Sequence, residues 1–290
     1  MTGPGDPTEV VGTVELAPAK LTLSLRLVGL RHDGYHLLDA EMVSLDLADR
    51  LTFRAGDGLT VDSGRLATRG GDGAGAGDGG AVVQVPPGRA NLVARALEAV
   101  GRRAQVHLEK HIPAGAGLGG GSSDAAAVLR WAGSADLDLA ASLGADVPFC
   151  VAGGRARVTG VGEIVTPLAY EERWFTLLLP PFGVDTAAVY QEWDRLAGRS
   201  PAGAGPSGSA GNDLEEAAFS VEPRLPRWRR VFADASGRVP RLAGSGSTLF
   251  VEGTPDELGL GGRASLTSGR AEARLVGVRT IPAAGTTSVG

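Results

Sequence analysis

Cysteine is nearly absent: Cys150 is the only one in 290 residues. A single thiol excludes an intrachain disulfide framework and fits a reducing compartment. No apolar run approaches the roughly 20 residues of a membrane span, and Met1–Val10 lacks the basic-then-apolar pattern of a secretory leader. The expectation is therefore a cytoplasmic protein with no membrane partner. Positive charge is not in excess either. The 28 Lys and Arg face 33 Asp and Glu, a formal net charge of −5, which argues against a nucleic-acid surface as the main function. No internal repeat stands out. A hydrophobic share of 43% with 21% charged residues is ordinary for a folded chain, and the length suffices for one large domain or two smaller ones.

What the chain has in abundance is glycine, 45 residues, and one run of it organises the rest. Lys110–Ala126 reads K-H-I-P-A-G-A-G-L-G-G-G-S-S-D-A-A. Val106–Lys110 alternates apolar and polar residues, which predicts a strand. The alanine- and leucine-rich stretch from Asp124 to Ala132 predicts the opening of a helix. A helix start has unpaired N–H groups and partial positive charge, so it suits an anion. Pro113, Ala114, Gly115, Ala116, Gly117, Leu118, Gly119, Gly120 and Gly121 make the turn, and glycine removes Cβ atoms that would hold a phosphate chain off the backbone. Ser122 and Ser123 follow with hydroxyls that can donate to phosphate oxygens or touch a metal. A flexible linker is the plainer alternative, but a linker has no need of Ile112-Pro113 on one side and Ser-Ser-Asp on the other. No Gly-Lys-Ser/Thr follows, so the run is not a Walker A loop. No early βαβ unit with a ribose-binding acid surrounds it, so it is not a dinucleotide fingerprint.

Met1–Val10 is small and polar and is expected to be disordered. From Val14 to Leu27 the chain alternates, with Leu21, Leu23, Leu25 and Leu27 on one face of a strand that Pro18 interrupts. Lys20 stands at the head of that run and, taken alone, reads as a solvated lysine. Asp33-Gly34 signals a tight turn. Tyr35 and His36 leave it as neighbouring rings, able to stack on and read a planar ligand or simply to sit half-exposed on a hairpin. Met42–Phe53 predicts a pair of strands. Asp57–Gly80 is too glycine-rich to bury much surface and reads as a mobile loop, most clearly at 68–80. A strand at 81–85 and an amphipathic helix at Asn91–Arg102 follow. Beyond a helical stretch near Asp136–Leu143, Asp146 lies inside an apolar run, where an acid is costly unless paired or used. It is either a turn cap or a catalytic acid. Strands around Gly160 and Gly162, a strand at Trp174–Leu179 and a helix at Thr186–Leu196 come next. A mobile low-complexity segment at 197–211 then precedes a helix opening at Asn212. Gly244, Ser245, Gly246 and Ser247 repeat the glycine-and-hydroxyl theme before a strand, as a second loop approaching the same ligand. Arg274–Thr280 is the last strand.

Six of these stretches together resemble the GHMP small-molecule kinases, over roughly Ala17 to Val278. They are P-A-K-L-T-L-S-L (Pro18–Leu25), D-G-Y-H (Asp33–His36), the glycine loop, L-G-A-D-V-P-F (Leu143–Phe149), N-D-L-E (Asn212–Glu215) and A-G-S-G-S-T-L-F (Ala243–Phe250). The D-G-Y-H and G-A-D-V-P-F strings are similar to the branch that takes a cytidine-diphosphate-linked polyol in isoprenoid-precursor synthesis. The resemblance implies a two-domain α+β fold with the active cleft between an ATP-binding domain at 11–165 and a second domain at 166–290. It implies transfer of the ATP γ-phosphoryl group to the 2-hydroxyl of a methylerythritol unit, with Pro113–Ser123 around the phosphates. Asp146 would be the base, Lys20 would hold it and stabilise charge, and Tyr35 and His36 would bind the cytosine. Gly244–Ser247 would close over the diphosphate or the reacting end. Mg²⁺ would be held mainly by the ATP phosphates, with Ser123 the candidate protein ligand. Thr22, two residues after the lysine, stands where the family usually has asparagine, and Asp124–Leu143 is shorter than usual. The alternatives are a kinase for a mevalonate- or homoserine-like alcohol, which offers no base for Tyr35-His36, and a catalytically weak nucleotide-binding paralogue.

Overall fold

A computed structural model describes residues 12–63, 82–85, 91–197 and 211–283. The expected disorder of Met1–Val10 and the expected mobile loops at 68–80 and 197–211 fall outside these residues, apart from Ala197 and Gly211.

The alternating leucines form β1 (Thr13–Leu30), which turns at Arg31–Tyr35 into β2 (His36–Arg54), its antiparallel partner over nearly the whole length. The register slips at Pro18/Lys20, Thr22/Ser24 and Leu27/Gly29. The first slip is where proline removes a ladder donor. Met42–Phe53, expected as a strand pair, is instead part of one continuous strand. Its polar residues fall where β2 changes neighbours on one edge, from a strand at Arg155–Gly160 to one at Gln105–Glu109, so no turn is needed. Asp57–Gly80 also needs correction at its start. Gly58–Asp62 is β3, running parallel to β5 (Gln105–Glu109) and paired on its other side with β4 (Val82–Val85). Its short L-T-V run was masked by the flanking glycines. With β6 (Arg155–Gly160) and β7 (Ile164–Pro167) these make a seven-stranded sheet in the order β4-β3-β5-β2-β6-β7, with β1 on β2.

Helices α1 (Leu92–Ala99), α2 (Gly120–Trp131), α3 (Leu137–Leu143) and α4 (Val147–Ala152) belong to this half. Asn91 caps α1 by accepting from the Val93 N–H at 2.8 Å. Helix α2 begins at Gly120, not at Asp124, so both serines lie within its first turns. Glycine is a poor helix former, but Ala125, Ala126, Ala127, Val128 and Leu129 are fully buried, and that packing sets the helix against β1 whatever the propensity of its first residues.

The second sheet is antiparallel, in the order β11-β12-β8-β10-β9. It is formed by β8 (Trp174–Leu179), β9 (Arg241–Leu242), β10 (Leu249–Glu252), β11 (Ser265–Ser268) and β12 (Ala271–Arg279), with α5 (Thr186–Ala197), α6 (Glu215–Val221) and α7 (Leu225–Ser236) packed about it. A buried cluster including Leu21, Leu23, Val43, Leu45, Phe175, Leu177 and Phe250 joins β1 and β2 to this sheet. Bridges at Leu25–Asn212 and Leu45–Thr280 stitch the same seam. Among the described residues no helix is long and apolar enough to cross a membrane.

Candidate active site

A cleft of about 700 Å³ opens where the glycine loop meets β1, α5 and the loop after β9. Its floor follows from the loop's backbone. Lys20 N–H donates to Leu118 O at 2.9 Å, which ties the loop to β1. Gly119, the N-cap of α2, takes a left-handed φ of 68° and is followed by N–H groups of the first helical turn. That is the anion-receptive geometry expected of the sequence.

The glycines do a second job that the sequence did not disclose. A Cβ on Gly117 would lie 2.3 Å from Ala243 O and 2.8 Å from Gly246 O. One on Gly119 would lie 2.7 Å from Lys20 Cγ. The missing side chains make room for protein as well as for any ligand. They let the loop at Ala243–Thr248 dock on the first loop, through Ser247 N–H to Gly115 O (3.3 Å) and Thr248 N–H to Ala116 O (3.1 Å). Asn212 holds the second loop from behind, its amide donating to Leu242 O (3.0 Å) and Gly244 O (2.7 Å). Gly244 and Ser245 line the cleft, Ser245 sharing a 2.8 Å hydrogen bond with Thr186. Ser247 is buried and donates to Phe182 O.

At the inner end of the cleft Lys20 Nζ stands 3.4 Å from Asp146 Oδ2 and donates to Thr22 Oγ1 at 3.1 Å. The lysine side chain is 7% exposed and that of Asp146 33%. An ammonium so buried is costly without partners. Of its three hydrogens one is given to Thr22, while Asp146 supplies the opposing charge. Asp146 occupies the N-cap position of α4, yet its side chain makes no capping bond. The carboxylate is thus turned to the lysine and the cleft.

Ser122 lines the cleft, whereas Ser123 is buried and gives its hydroxyl to Pro18 O at 2.7 Å. Tyr35 sits at the tip of the β1–β2 hairpin, 61% exposed, with the Arg31 guanidinium 5.3 Å from its ring. His36 is tucked against α5 beside Tyr190 and Trp193, ring centroids 5.0 and 5.4 Å away.

Three contributors were missed in the sequence. Tyr190 lines the cleft from α5, and burial, then the charge of Asp146, push its hydroxyl pKa up to about 12. Lys110 and Asp124 line it beneath the loop. Lys110 Nζ bonds the fully buried Asp49 and, at 2.7 Å, Asp124. Burial, then Asp49, lift Asp124 to about 7 against the pull of Lys110. Composition held the signal: the chain has only two lysines, Lys20 and Lys110, and both are in this cleft. Cys150, buried behind Asp146, has its thiol pushed to about 12 by burial and is an inert packing residue.

A glycine loop feeding a helix start, set against a buried lysine paired with a cleft-facing aspartate, is the arrangement of a small-molecule kinase of the GHMP type. Residues 91–154 match the GHMP kinases N terminal domain. A 4-diphosphocytidyl-2-C-methyl-D-erythritol kinase from Dinoroseobacter shibae is 39% identical over 255 residues, covering 81% of this chain and 83% of that one. A crystal structure of 4-(cytidine 5'-diphospho)-2C-methyl-D-erythritol kinase superposes with a TM-score of 0.65 at 31% identity, over 93% of this chain and all of the other. Methanococcus jannaschii mevalonate kinase shares the fold, with a TM-score of 0.58 at 12% identity over 94% of this chain and 100% of that one. The chain belongs to the 4-diphosphocytidyl-2-C-methyl-D-erythritol kinase family of the GHMP kinases, and its mixed α+β architecture is that of the group.

Proposed function

We propose that the protein transfers the γ-phosphoryl group of ATP to the 2-hydroxyl of 4-diphosphocytidyl-2-C-methyl-D-erythritol, as a cytoplasmic step of isoprenoid-precursor synthesis. The observation that carries the reading is the Lys20–Asp146 pair at 3.4 Å, opening into the cleft under the glycine loop. Phosphoryl transfer asks for alignment and charge stabilisation more than for covalent help from the protein. The substrate oxygen forms a bond to the γ-phosphorus, the bond from that phosphorus to the bridging oxygen breaks, and ADP leaves. Asp146 takes the hydroxyl proton. Lys20 orients Asp146 and, with the N–H groups at the start of α2, offsets the negative charge that gathers on the transferring group. Among the described residues no cluster of three or more His, Cys, Asp or Glu side chains is placed to hold a metal. An Mg²⁺ ion would be carried on the ATP phosphates, and of the two serines Ser122 is the one that lines the cleft, Ser123 being buried with its hydroxyl on Pro18 O. The hairpin with Tyr35 and His36 would take the cytosine, and the Gly244–Ser247 loop would present Gly244 and Ser245 to the diphosphate or the reacting end.

The test is ADP release and product analysis with Mg²⁺·ATP and a panel of alcohols. Turnover of the cytidylate-linked polyol, well above mevalonate and homoserine, is expected. Equal or better turnover of either simple alcohol would refute the reading.

A further inference from the structure

His36 begins β2 and is the ring the hairpin turns inward, its side chain 9% exposed. Three residues of α5 surround it. Tyr190 and Trp193 flank the ring, Trp193 edge-on, and Asp194 Oδ1 lies 2.7 Å from Nε2. Among the described residues no other hydrogen bond reaches this imidazole. Of the three, Tyr190 also lines the cleft.

We propose that Asp194 is a positioning residue that fixes the hydrogen-bonding face of His36 and so sets the preference for a cytosine base. The inference rests on the reading of His36 as a base-contacting residue. A carboxylate can only accept, so the hydrogen of the neutral ring is held on Nε2 and Nδ1 is left as an acceptor. The flanking rings oppose a flip that would exchange the two nitrogens. Cytosine carries an amino donor at its fourth position, which an acceptor nitrogen can take. Uracil carries a carbonyl there, and two acceptors facing each other lose the bond and leave both unpaired. Without Asp194 the imidazole can place its hydrogen on either nitrogen, and the discrimination weakens. Asp194 is itself 54% exposed, so its removal leaves no cavity in the core and the folding cost is small.

The experiment uses the full chain labelled with ¹⁵N-histidine, which has only four imidazoles to assign. It also compares KM for cytidine- and uridine-diphosphate-linked polyols and for ATP. Asp194→Ala is expected to move the His36 nitrogen shifts from the Nε2–H form toward a mixture of tautomers. It should raise KM for the cytidine substrate on the order of 5- to 10-fold and lower the cytidine-over-uridine preference by a similar factor. ATP KM should stay unchanged, and Asp194→Glu should restore part of the preference. Unchanged tautomers or an unchanged base preference in Asp194→Ala, with His36→Ala raising the cytidine KM, would overturn the role of Asp194 alone. A uniform rise of both KM values with a lower Tm would show a merely structural contact and overturn it too. If His36→Ala leaves the cytidine KM unchanged, the base reading of His36 fails, and this inference with it.

Discussion

Gly117→Ala is the sharpest test of how the two glycine loops are joined. Gly117 has φ of 76°, and an added Cβ would meet Ala243 O at 2.3 Å and Gly246 O at 2.8 Å. Both oxygens are backbone, so no side chain can rotate away, and relief requires a shift of about 1 Å in one loop or the other. The left-handed conformation alone costs an alanine about 1–2 kcal/mol. The shift would also strain the two loop-to-loop bonds at Gly115 O and Ala116 O, each worth about 0.5–1.5 kcal/mol. The expected loss of stability is therefore about 2–5 kcal/mol, which a domain of ordinary stability survives. A displacement of that size in a phosphate cradle can cost on the order of 100-fold in rate, so a rise of at least about 10-fold in ATP KM or a matching fall in kcat is expected. Gly133→Ala is the control. Gly133 has φ of 74° and nothing within 4 Å of an added Cβ, so it should cost only the conformational 1–2 kcal/mol and leave the kinetics unchanged. Urea unfolding and initial rates on both variants decide the matter. If Gly117→Ala behaves like Gly133→Ala in both measurements, the packing argument is wrong.

Asp146→Asn and Lys20→Ala should each lower kcat by on the order of 10²–10⁴ while calorimetric ATP affinity changes by less than about 10-fold; a near wild-type rate for Asp146→Asn would remove it as the base. Thr22→Asn should change kcat/KM by less than about 10-fold, since the Lys20-to-Thr22 bond is one neutral-acceptor hydrogen bond and asparagine also offers an acceptor; a gain of several decades would contradict this. Asp124 is raised by burial to about 7 from an unfolded value of 3.8, so the folded state binds the extra proton between those values, and the stability from this group falls as pH rises from about 4 through 7. The stability of Asp124→Asn relative to wild type should accordingly increase between pH 5 and pH 8 in urea titrations; a flat or opposite trend would place Asp124 ionised in the fold.

Much of the site was legible because its chemistry is local. The strand, the glycine run and the helix that follows are contiguous, and a helix start carries its anion preference wherever it is placed. That Lys20 is buried and that the Asp146 side chain makes no cap bond both depend on contacts no local pattern holds. Lys20 looked solvated because nothing in P-A-K-L-T-L reveals that α2 and the loop after β9 cover that face of β1. Asp146 looked like a cap because it does stand at the N-cap of α4, and only the tertiary contact turns its carboxylate aside. Tyr190 falls inside the helix expected at Thr186–Leu196, where nothing singled it out. Its helix periodicity was right, but periodicity does not say that the partner of one turn is a ligand-sized space.

The lysine usage carries the physical logic furthest. The chain places 26 arginines and two lysines, and the described surface ion pairs, such as Arg31–Asp33, Arg157–Asp39 and Arg195–Glu192, are arginine pairs. Arginine is the residue for planar, two-point pairing with carboxylates. Lysine is kept for the two positions where a compact ammonium must pass close to glycine backbone. The Lys20 stem runs 2.7 Å from the point where Gly119 would carry a Cβ, and Lys110 Nζ sits 3.3 Å from the equivalent point on Gly120. A guanidinium fork in either place would need the room that those glycines give up to the helix start. The same run of sequence therefore sets three things at once: the helix-start backbone proposed to face the phosphates, the passage for the lysine that meets Asp146, and the seat of the lysine that bridges Asp49 and Asp124. A glycine loop read only as a cradle for a ligand accounts for the first. The packing of Lys20 and Lys110 accounts for why the loop needs its glycines even when no ligand is bound.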